Sequence, residues 1–176
     1  MSARRLPFRI SDSEARQMYS GSRGNGPARR YARFWSTVFA AGLSPRRWVT
    51  LEVPGRTSGR RTRFPLRMAD VDGRWYLVSM LGEDCHWVRN TRAAGGHAVI
   101  RHGRARRRLL VEVPVDERAP IIRRYLEVAP GARPHIPVDR TAPLPDFERI
   151  AARFPVFAVE PDATGSPPAV PTERES

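Results

Sequence analysis

Short runs of alternating apolar residues, separated by turn signals, constrain the fold of this chain more than any other feature. In the first run, Val49, Leu51 and Val53 occupy every second position. A period of two is typical of β-strands that bury one face. Six such runs occur, and in chain order they are residues 47–53, 61–69, 74–80, 97–102, 105–114 and 155–160.

Most of these runs are joined by short turns. Val71-Asp72-Gly73 and His102-Gly103-Arg104 each place a glycine where a tight hairpin turn needs one. Strands joined by hairpins pair antiparallel, and the last strand has to pair with an earlier strand to close a barrel. The sequence therefore predicts an α+β fold that is mainly β, a six-stranded antiparallel barrel with flanking helices.

Helices are predicted around these strands. Aromatic and apolar residues at helical spacing from Tyr31 to Phe39 indicate a helix over residues 27–42 that packs on the barrel. Because arginines flank its aromatic face, contact with an anionic membrane surface is an alternative. We expect Asp84 to cap a helix that ends at Gly95-Gly96, and Asp116 to cap another.

Length and composition limit the organisation and location of the protein. A chain of 176 residues fits one domain, which we place at 27–160, between a flexible arm at 1–26 and a disordered tail at 161–176. The net charge is +13 and all 31 basic residues are arginine, so polyanions are attracted. One cysteine and the lack of a long apolar run predict a cytoplasmic protein, either free or peripheral to the membrane.

The densest chemical signal lies between the first two predicted strands. Gly55-Arg56-Thr57-Ser58-Gly59 is followed by Arg60, Arg61 and Arg63. We expect the two glycines to adopt positive φ and to present successive N–H groups to one concavity, which the arginines surround with further donors. Such a loop favours a phosphate or a carboxylate, although a plain turn with solvated arginines has the same composition.

A second loop follows about 20 residues later. Leu81-Gly82-Glu83-Asp84 leads into His86-Trp87-Val88-Arg89-Asn90, a glycine loop that opens a short helix. Both loops and the aromatic start of the helix are expected to converge.

Together, these two segments resemble the deazaflavin-dependent nitroreductases and F420H2-dependent quinone reductases over roughly residues 47–160. The resemblance implies a split β-barrel of the FMN-binding type, and a hydride transfer from reduced coenzyme F420, an 8-hydroxy-5-deazaflavin, to a small nitroaromatic, quinone or enone acceptor. No catalytic residue is identified, and no metal is expected because the four histidines and one cysteine lack the spacing of metal ligands. The cofactor-binding positions that it implies are Arg56, Thr57, Ser58, Gly59, Arg61, Arg63, Pro65, Leu66, Ser79, Met80, Leu81, Gly82, Trp87 and Asn90.

Several alternatives stay open from the sequence. A related split barrel binds FMN, haem or lipid without this activity, and dimerisation is common among such barrels. The arginines from Arg101 to Arg108 also suit a basic barrel that binds nucleic acid, but no aromatic residues interleave with them, so this reading is less favoured. Cys85 beside His86 is a weak candidate nucleophile.

Overall fold

The computed structural model describes residues 46–163, so the predicted helix over 27–42 and the predicted arm over 1–26 lie outside the described residues. Within that range the chain forms six strands and three helices. The strands are β1 (Trp48–Pro54), β2 (Arg61–Val71), β3 (Arg74–Val78), β4 (His97–His102), β5 (Arg104–Glu112) and β6 (Val156–Pro161). The helices are α1 (His86–Ala93), α2 (Arg118–Val128) and α3 (Leu144–Ile150).

The six strands close into one antiparallel barrel. Their order around the barrel is β1-β2-β3-β6-β5-β4, and β1 pairs with β4 to complete the ring. β6 inserts between β3 and β5, pairing antiparallel with each. The predicted fold class, a mainly β protein with a closed six-stranded antiparallel barrel and flanking helices, is confirmed.

Strand alternation separates the apolar residues into two cores. Val49, Leu51 and Val53 are fully buried inside the barrel, together with Leu77 of β3 and Phe157 of β6. On the outside, helices α2 and α3 cover one side of the barrel and bury their own apolar faces there, with Ile122, Leu126 and Phe147 inaccessible to solvent. Burying such side chains contributes about 1.5–3 kcal/mol each.

Two predicted turns have the expected geometry. Asp72 and Gly73 both have positive φ, at 49° and 76°, which matches the twist of the two strands that they join. Helix α1 ends at Ala93 and is followed by Gly95 and Gly96, which also have positive φ. A Cβ atom at Gly96 would lie 2.6 Å from the carbonyl oxygen of Leu110, so only glycine fits there.

The two predicted caps are wrong. Helix α1 begins after Cys85, and no side chain caps it; Asp84 instead forms an ion pair with Arg89. Helix α2 begins at Arg118, after a single 3-10 turn at Val115–Glu117 that contains Asp116. Neither helix has a capping hydrogen bond from a described side chain. Within residues 46–163, no helix has the length and apolar character to cross a bilayer.

An ion-pair network ties the helices to the barrel. Arg92 of α1 donates to both carboxylate oxygens of Glu112 on β5, at 2.9 and 2.6 Å, and also donates to Glu83 at 2.6 Å. The buried Arg118 of α2 donates to the same Glu112 at 3.0 Å. These hydrogen bonds, with Arg92 as the largest cause, lower the pKa of Glu112 below its usual value of 4.5, although partial burial opposes the shift.

This network predicts that the protein loses stability in acid. Because the pKa of Glu112 is lower in the folded chain than in the unfolded chain, its contribution is complete above pH 4.5 and is lost as the pH falls towards the folded pKa. Urea unfolding between pH 6 and pH 3 should therefore show a smaller loss of stability for Glu112→Gln than for the wild type. Glu148→Gln is the control, because Glu148 is exposed and forms no ion pair with any described residue. Equal pH dependence in all three proteins would contradict the role of Glu112.

Candidate functional site

The arginine-rich loop at residues 55–60 is compact and exposed. Its ends are joined because Gly55 N–H donates to the carbonyl of Arg60 at 2.8 Å and Gly59 N–H donates to the carbonyl of Gly55 at 2.8 Å. Gly59 has a φ of 64°. Arg56, Ser58 and Arg60 in this turn are exposed.

The loop presents only part of the predicted set of free N–H groups. Only Gly59 of the two glycines has a positive φ. The N–H groups of Gly55 and Gly59 bond within the loop, that of Arg56 bonds to Asn90, and that of Arg60 bonds to the hydroxyl oxygen of Ser58. The N–H groups of Thr57 and Ser58 bond to no described residue, so they can donate to an anion together with the guanidinium groups and the Ser58 hydroxyl proton.

Asn90 of helix α1 fixes the loop to the barrel. Its side-chain oxygen accepts from the N–H of Arg56 at 3.3 Å and from Arg56 Nη1 at 3.2 Å. Its amide nitrogen donates to Thr62 Oγ1 at 3.2 Å, and the Thr62 hydroxyl donates to the carbonyl of Val53 at 2.8 Å. Asn90 is only 4% exposed, so this is a buried polar link between α1, the loop and the first two strands.

The second predicted segment forms a turn before helix α1. The buried Ser79 donates its hydroxyl to the carbonyl of Gly82 at 2.8 Å, and Gly82 N–H donates to the carbonyl of Ser79 at 3.2 Å. Gly82 has a φ of 81°, and a Cβ atom there would lie 3.2 Å from the carbonyl of Arg153. Burial raises the pKa of the Cys85 thiol, which disfavours the thiolate that a nucleophile needs.

A shallow cavity opens beside this turn. Its volume is about 240 Å³. Arg153 lies with its guanidinium carbon 5.7 Å from the centre of the Phe154 ring, so one wall combines an aromatic face with a cation. The residues that line the cavity are Met80, Leu81, Gly82, His135, Arg153 and Phe154.

Several predicted site residues lie elsewhere. Because Thr62 pairs with the inward-facing Val53, its neighbours Arg61 and Arg63 project from the outer face of β2, and Pro65 lies on that same face. Leu66 packs against the barrel interior. Trp87 is 3% exposed and packs edge-on against Phe157, with ring centres 5.4 Å apart, so it is a core residue that plugs the barrel.

The sequence reasoning did not include two polar residues that the structure makes prominent. Thr62 connects Asn90 to strand β1, and its role depends on a strand register that cannot be read from the sequence. Glu52 is buried and lies between three arginines. A signal for Glu52 did exist, since it is the one acidic residue within the apolar run from Trp48 to Pro54.

Comparison with known families shows which family the chain belongs to. A family profile described as F420H(2)-dependent quinone reductase matches residues 27–145. The chain belongs to this family. It is therefore an oxidoreductase, and coenzyme F420 is its cofactor.

Solved structures with low sequence identity are also similar to this F420-dependent oxidoreductase. One, described as a domain-swapped dimer, is 18% identical, with a TM-score of 0.49, and the match covers 76% of this chain and 96% of that one. An F420-H2 dependent reductase, FDR-A, is 23% identical, with a TM-score of 0.44 and coverage of 65% and 95%. An F420 reductase is 14% identical, with a TM-score of 0.42 and coverage of 73% and 94%. A comparison with curated proteins finds no match.

The donor set at the loop fits the chemistry of this coenzyme. F420 carries a phosphate and an acidic tail, and the exposed guanidinium groups of Arg56 and Arg60 provide charge-assisted donors for such groups. The loop is held in place by Asn90, so these donors start from an ordered backbone. The turn from Ser79 to Gly82 offers a second, less charged surface at the start of the same helix.

The link through Asn90 yields a test. Asn90→Ala removes three hydrogen bonds to Arg56 and Thr62, which should cost about 1–3 kcal/mol and should free the loop. Amide hydrogen exchange should show faster exchange at Arg56 N–H, with the barrel strands unchanged. Arg89→Ala is the matched control, because Arg89 lies next to Asn90 on α1 and its exposed ion pair with Asp84 contributes little. Unchanged exchange at Arg56 in Asn90→Ala would show that the loop is held by other contacts.

Proposed function

We propose that this protein transfers a hydride from reduced F420 to a quinone, a nitroaromatic or an enone, with the coenzyme bound between the loop at 55–60 and the turn at 79–82. The observation that supports this most directly is the contact between Asn90 and Arg56. Helix α1 follows the turn at 79–82, and Asn90 on this helix holds the loop, so one short helix positions both segments.

In this proposal the loop binds the charged end of the coenzyme. Arg56 Nη1 donates to the side-chain oxygen of Asn90, and this bond orients the guanidinium group. The remaining N–H groups of Arg56 then donate to the phosphate. Arg60 and the Ser58 hydroxyl add donors from the same turn, and Thr57 and Gly59 complete its backbone. Guanidinium groups suit a phosphate because their planar donors can bind two oxygens at once.

The turn at 79–82 borders the deazaflavin ring in this proposal. Gly82 allows the turn to pass close to the carbonyl of Arg153, and Met80 and Leu81 present half-buried apolar surface. Ser79 fixes the turn from inside through its bond to Gly82. An apolar, ordered edge of this kind excludes water from one side of a flat ring and keeps the ring in a single orientation.

The coenzyme supplies the chemistry, because a reduced deazaflavin delivers a hydride and is poor at single-electron transfer. The cavity beside the turn gives an acceptor room to lie next to that ring. Arg153 and His135 line it and are placed to hydrogen-bond an acceptor oxygen, which polarises a carbonyl or nitro group. The acceptor takes one proton from solvent along with the hydride, since the cavity is open.

Coenzyme F420 rather than FMN is the cofactor, since the chain belongs to the F420H(2)-dependent quinone reductase family. Binding of haem, lipid or nucleic acid stays an untested alternative from the sequence. A homodimer, a cytoplasmic location and a membrane contact through residues 27–42 also stay predictions, and residues 27–42 lie outside the described part of the chain.

The phosphate site is tested by charge removal at the loop. Arg56→Ala with Arg60→Ala should weaken binding of oxidised F420 at least tenfold, because each charge-assisted hydrogen bond contributes about 1.5–3 kcal/mol. Quenching of coenzyme fluorescence measures this affinity. The matched control is Arg104→Ala with Arg106→Ala, which removes the same charge from exposed positions on β5. An equal loss in both double variants would indicate general charge attraction and would contradict the site.

The acceptor class is tested by turnover. With reduced F420 present, the wild-type protein should oxidise the coenzyme when a soluble quinone, a nitroaromatic or a cyclic enone is added. Arg153→Gln should raise KM for these acceptors while leaving coenzyme affinity within twofold of the wild type. Coenzyme binding without oxidation by any of the three acceptors would contradict the proposed reaction and leave the cofactor assignment intact.

A further inference from the structure

A buried carboxylate lies on the outer face of the barrel, where an exposed or apolar side chain is the usual choice. Glu52 points outward from β1, opposite to its inward neighbours Leu51 and Val53, yet its side chain is only 1% exposed. Across the sheet it faces Arg63 on β2 and Val99 on β4. Among the described residues, arginine side chains pair with its carboxylate.

Three guanidinium groups surround this carboxylate. Arg101 Nε donates to Glu52 Oε1 at 2.8 Å, and Arg63 Nε forms an ion pair with the same oxygen at 3.0 Å. Arg61 Nη1 lies 3.8 Å from Oε2, which accepts no hydrogen bond from any described residue. Among the described residues, none of these three arginines pairs with any other carboxylate.

The charges in this cluster do not balance. Three positive groups around one negative group leave an excess of two positive charges on a small area of the sheet. Removing a carboxylate from water costs several kcal/mol, and such buried pairs are weak contributors to net stability. Stability alone is therefore a poor explanation for Glu52, whereas fixing the orientation of guanidinium groups is a role that a buried carboxylate performs well.

The geometry leaves donors facing solvent. Arg63 and Arg101 approach Glu52 through Nε, so the two terminal nitrogens of each group stay available on the outer side. The side chains of Arg61, Arg63 and Arg101 are 72%, 61% and 32% exposed. Arg107 lies on the same face, because it pairs with Val99 and Val99 pairs with Glu52.

We propose that Arg61, Arg63 and Arg101, held in place by Glu52, form a second anion-binding site on the outer face of β1, β2 and β4. Its ligand is an anion of the phosphate or carboxylate class with two or more negative charges, since two charges complete the balance. The site is separate from the loop at 55–60, because Thr62, between Arg61 and Arg63, faces the barrel interior and bonds to Asn90.

Two sources can supply such an anion. One is a free phosphate-class ion or metabolite. The other is the acidic tail of a coenzyme whose phosphate lies on the loop at 55–60, and this second source rests on the proposed function. Both sources supply a multiply charged anion. Only the coenzyme tail would make the affinity for F420 depend on this site.

The site is tested by titrating the wild-type protein with inorganic phosphate at constant ionic strength, following the arginine Nε–H signals by ¹⁵N NMR. The signals of Arg63 and Arg101 should shift saturably. Arg61→Gln with Arg63→Gln should weaken binding at least fivefold as read at Arg101, whose bond to Glu52 this variant keeps. Arg104→Gln with Arg106→Gln is the charge-matched control, because Arg106 pairs with Ile100 on the opposite face. Linear shifts, or equal weakening in both variants, would overturn the proposal.

The source is identified with the same variants. If the acidic tail binds here, Arg61→Gln with Arg63→Gln should weaken F420 at least fivefold but leave a deazaflavin riboside, which lacks phosphate and tail, unaffected. If a free ion binds, phosphate affinity falls and F420 affinity stays the same. Both results support the site. If this variant changes the affinity for neither phosphate nor F420, the proposed site is overturned. Binding of F420 to the loop at 55–60 is tested separately, by Arg56→Ala with Arg60→Ala.

Discussion

Closure of the six-stranded barrel determines which side chains can act together in this protein. Because β6 pairs with both β3 and β5, every strand has one inner and one outer face, and a shift of one residue moves a side chain from one to the other. Thr62 is inside and bonds to Asn90, whereas Arg61 and Arg63 are outside and meet Glu52. Closure thus divides one arginine-rich segment of sequence into two separate basic surfaces.

Helix α1 packs its apolar side chains into the barrel core, and it also positions the candidate coenzyme site. Trp87 and Val88 fill the barrel end, and Asn90, one turn further along, bonds to the loop at 55–60. Packing and positioning therefore come from one helix: its apolar residues hold it in the core, and its buried amide holds the loop. A residue that looks like a ligand contact in the sequence, Trp87, instead supplies the anchor that makes the contacts of Asn90 possible.

The parts of the structure that could be predicted are those that depend on local patterns. Alternation places Val49, Leu51 and Val53 in the core, and Asp72-Gly73 forms its hairpin, because both depend on neighbouring residues only. Tertiary contacts could not be predicted in this way. Glu52 is buried because β2 and β4 bring arginines over it, and several backbone donors of the loop are occupied by bonds within the loop or to Asn90.

Shared carboxylates help the fold to tolerate its large positive charge. Carboxylates are used sparingly and are shared: Glu52 serves three arginines on the outer face, and Asp70 serves Arg47 and Arg124 beside helix α2. Each shared carboxylate fixes the position of several guanidinium groups, which reduces the entropy lost when an anion binds. Arginine suits this arrangement better than lysine, because a planar guanidinium group that bonds to one carboxylate still has other N–H donors for an anion.

The most direct test of the central claim, that the loop held by Asn90 binds the coenzyme, is a crystal structure of the protein with oxidised F420. We expect the phosphate within hydrogen-bond distance of Arg56 or Arg60, and the deazaflavin ring against the turn from Ser79 to Gly82. A coenzyme whose phosphate and ring both lie away from these two segments would contradict the account.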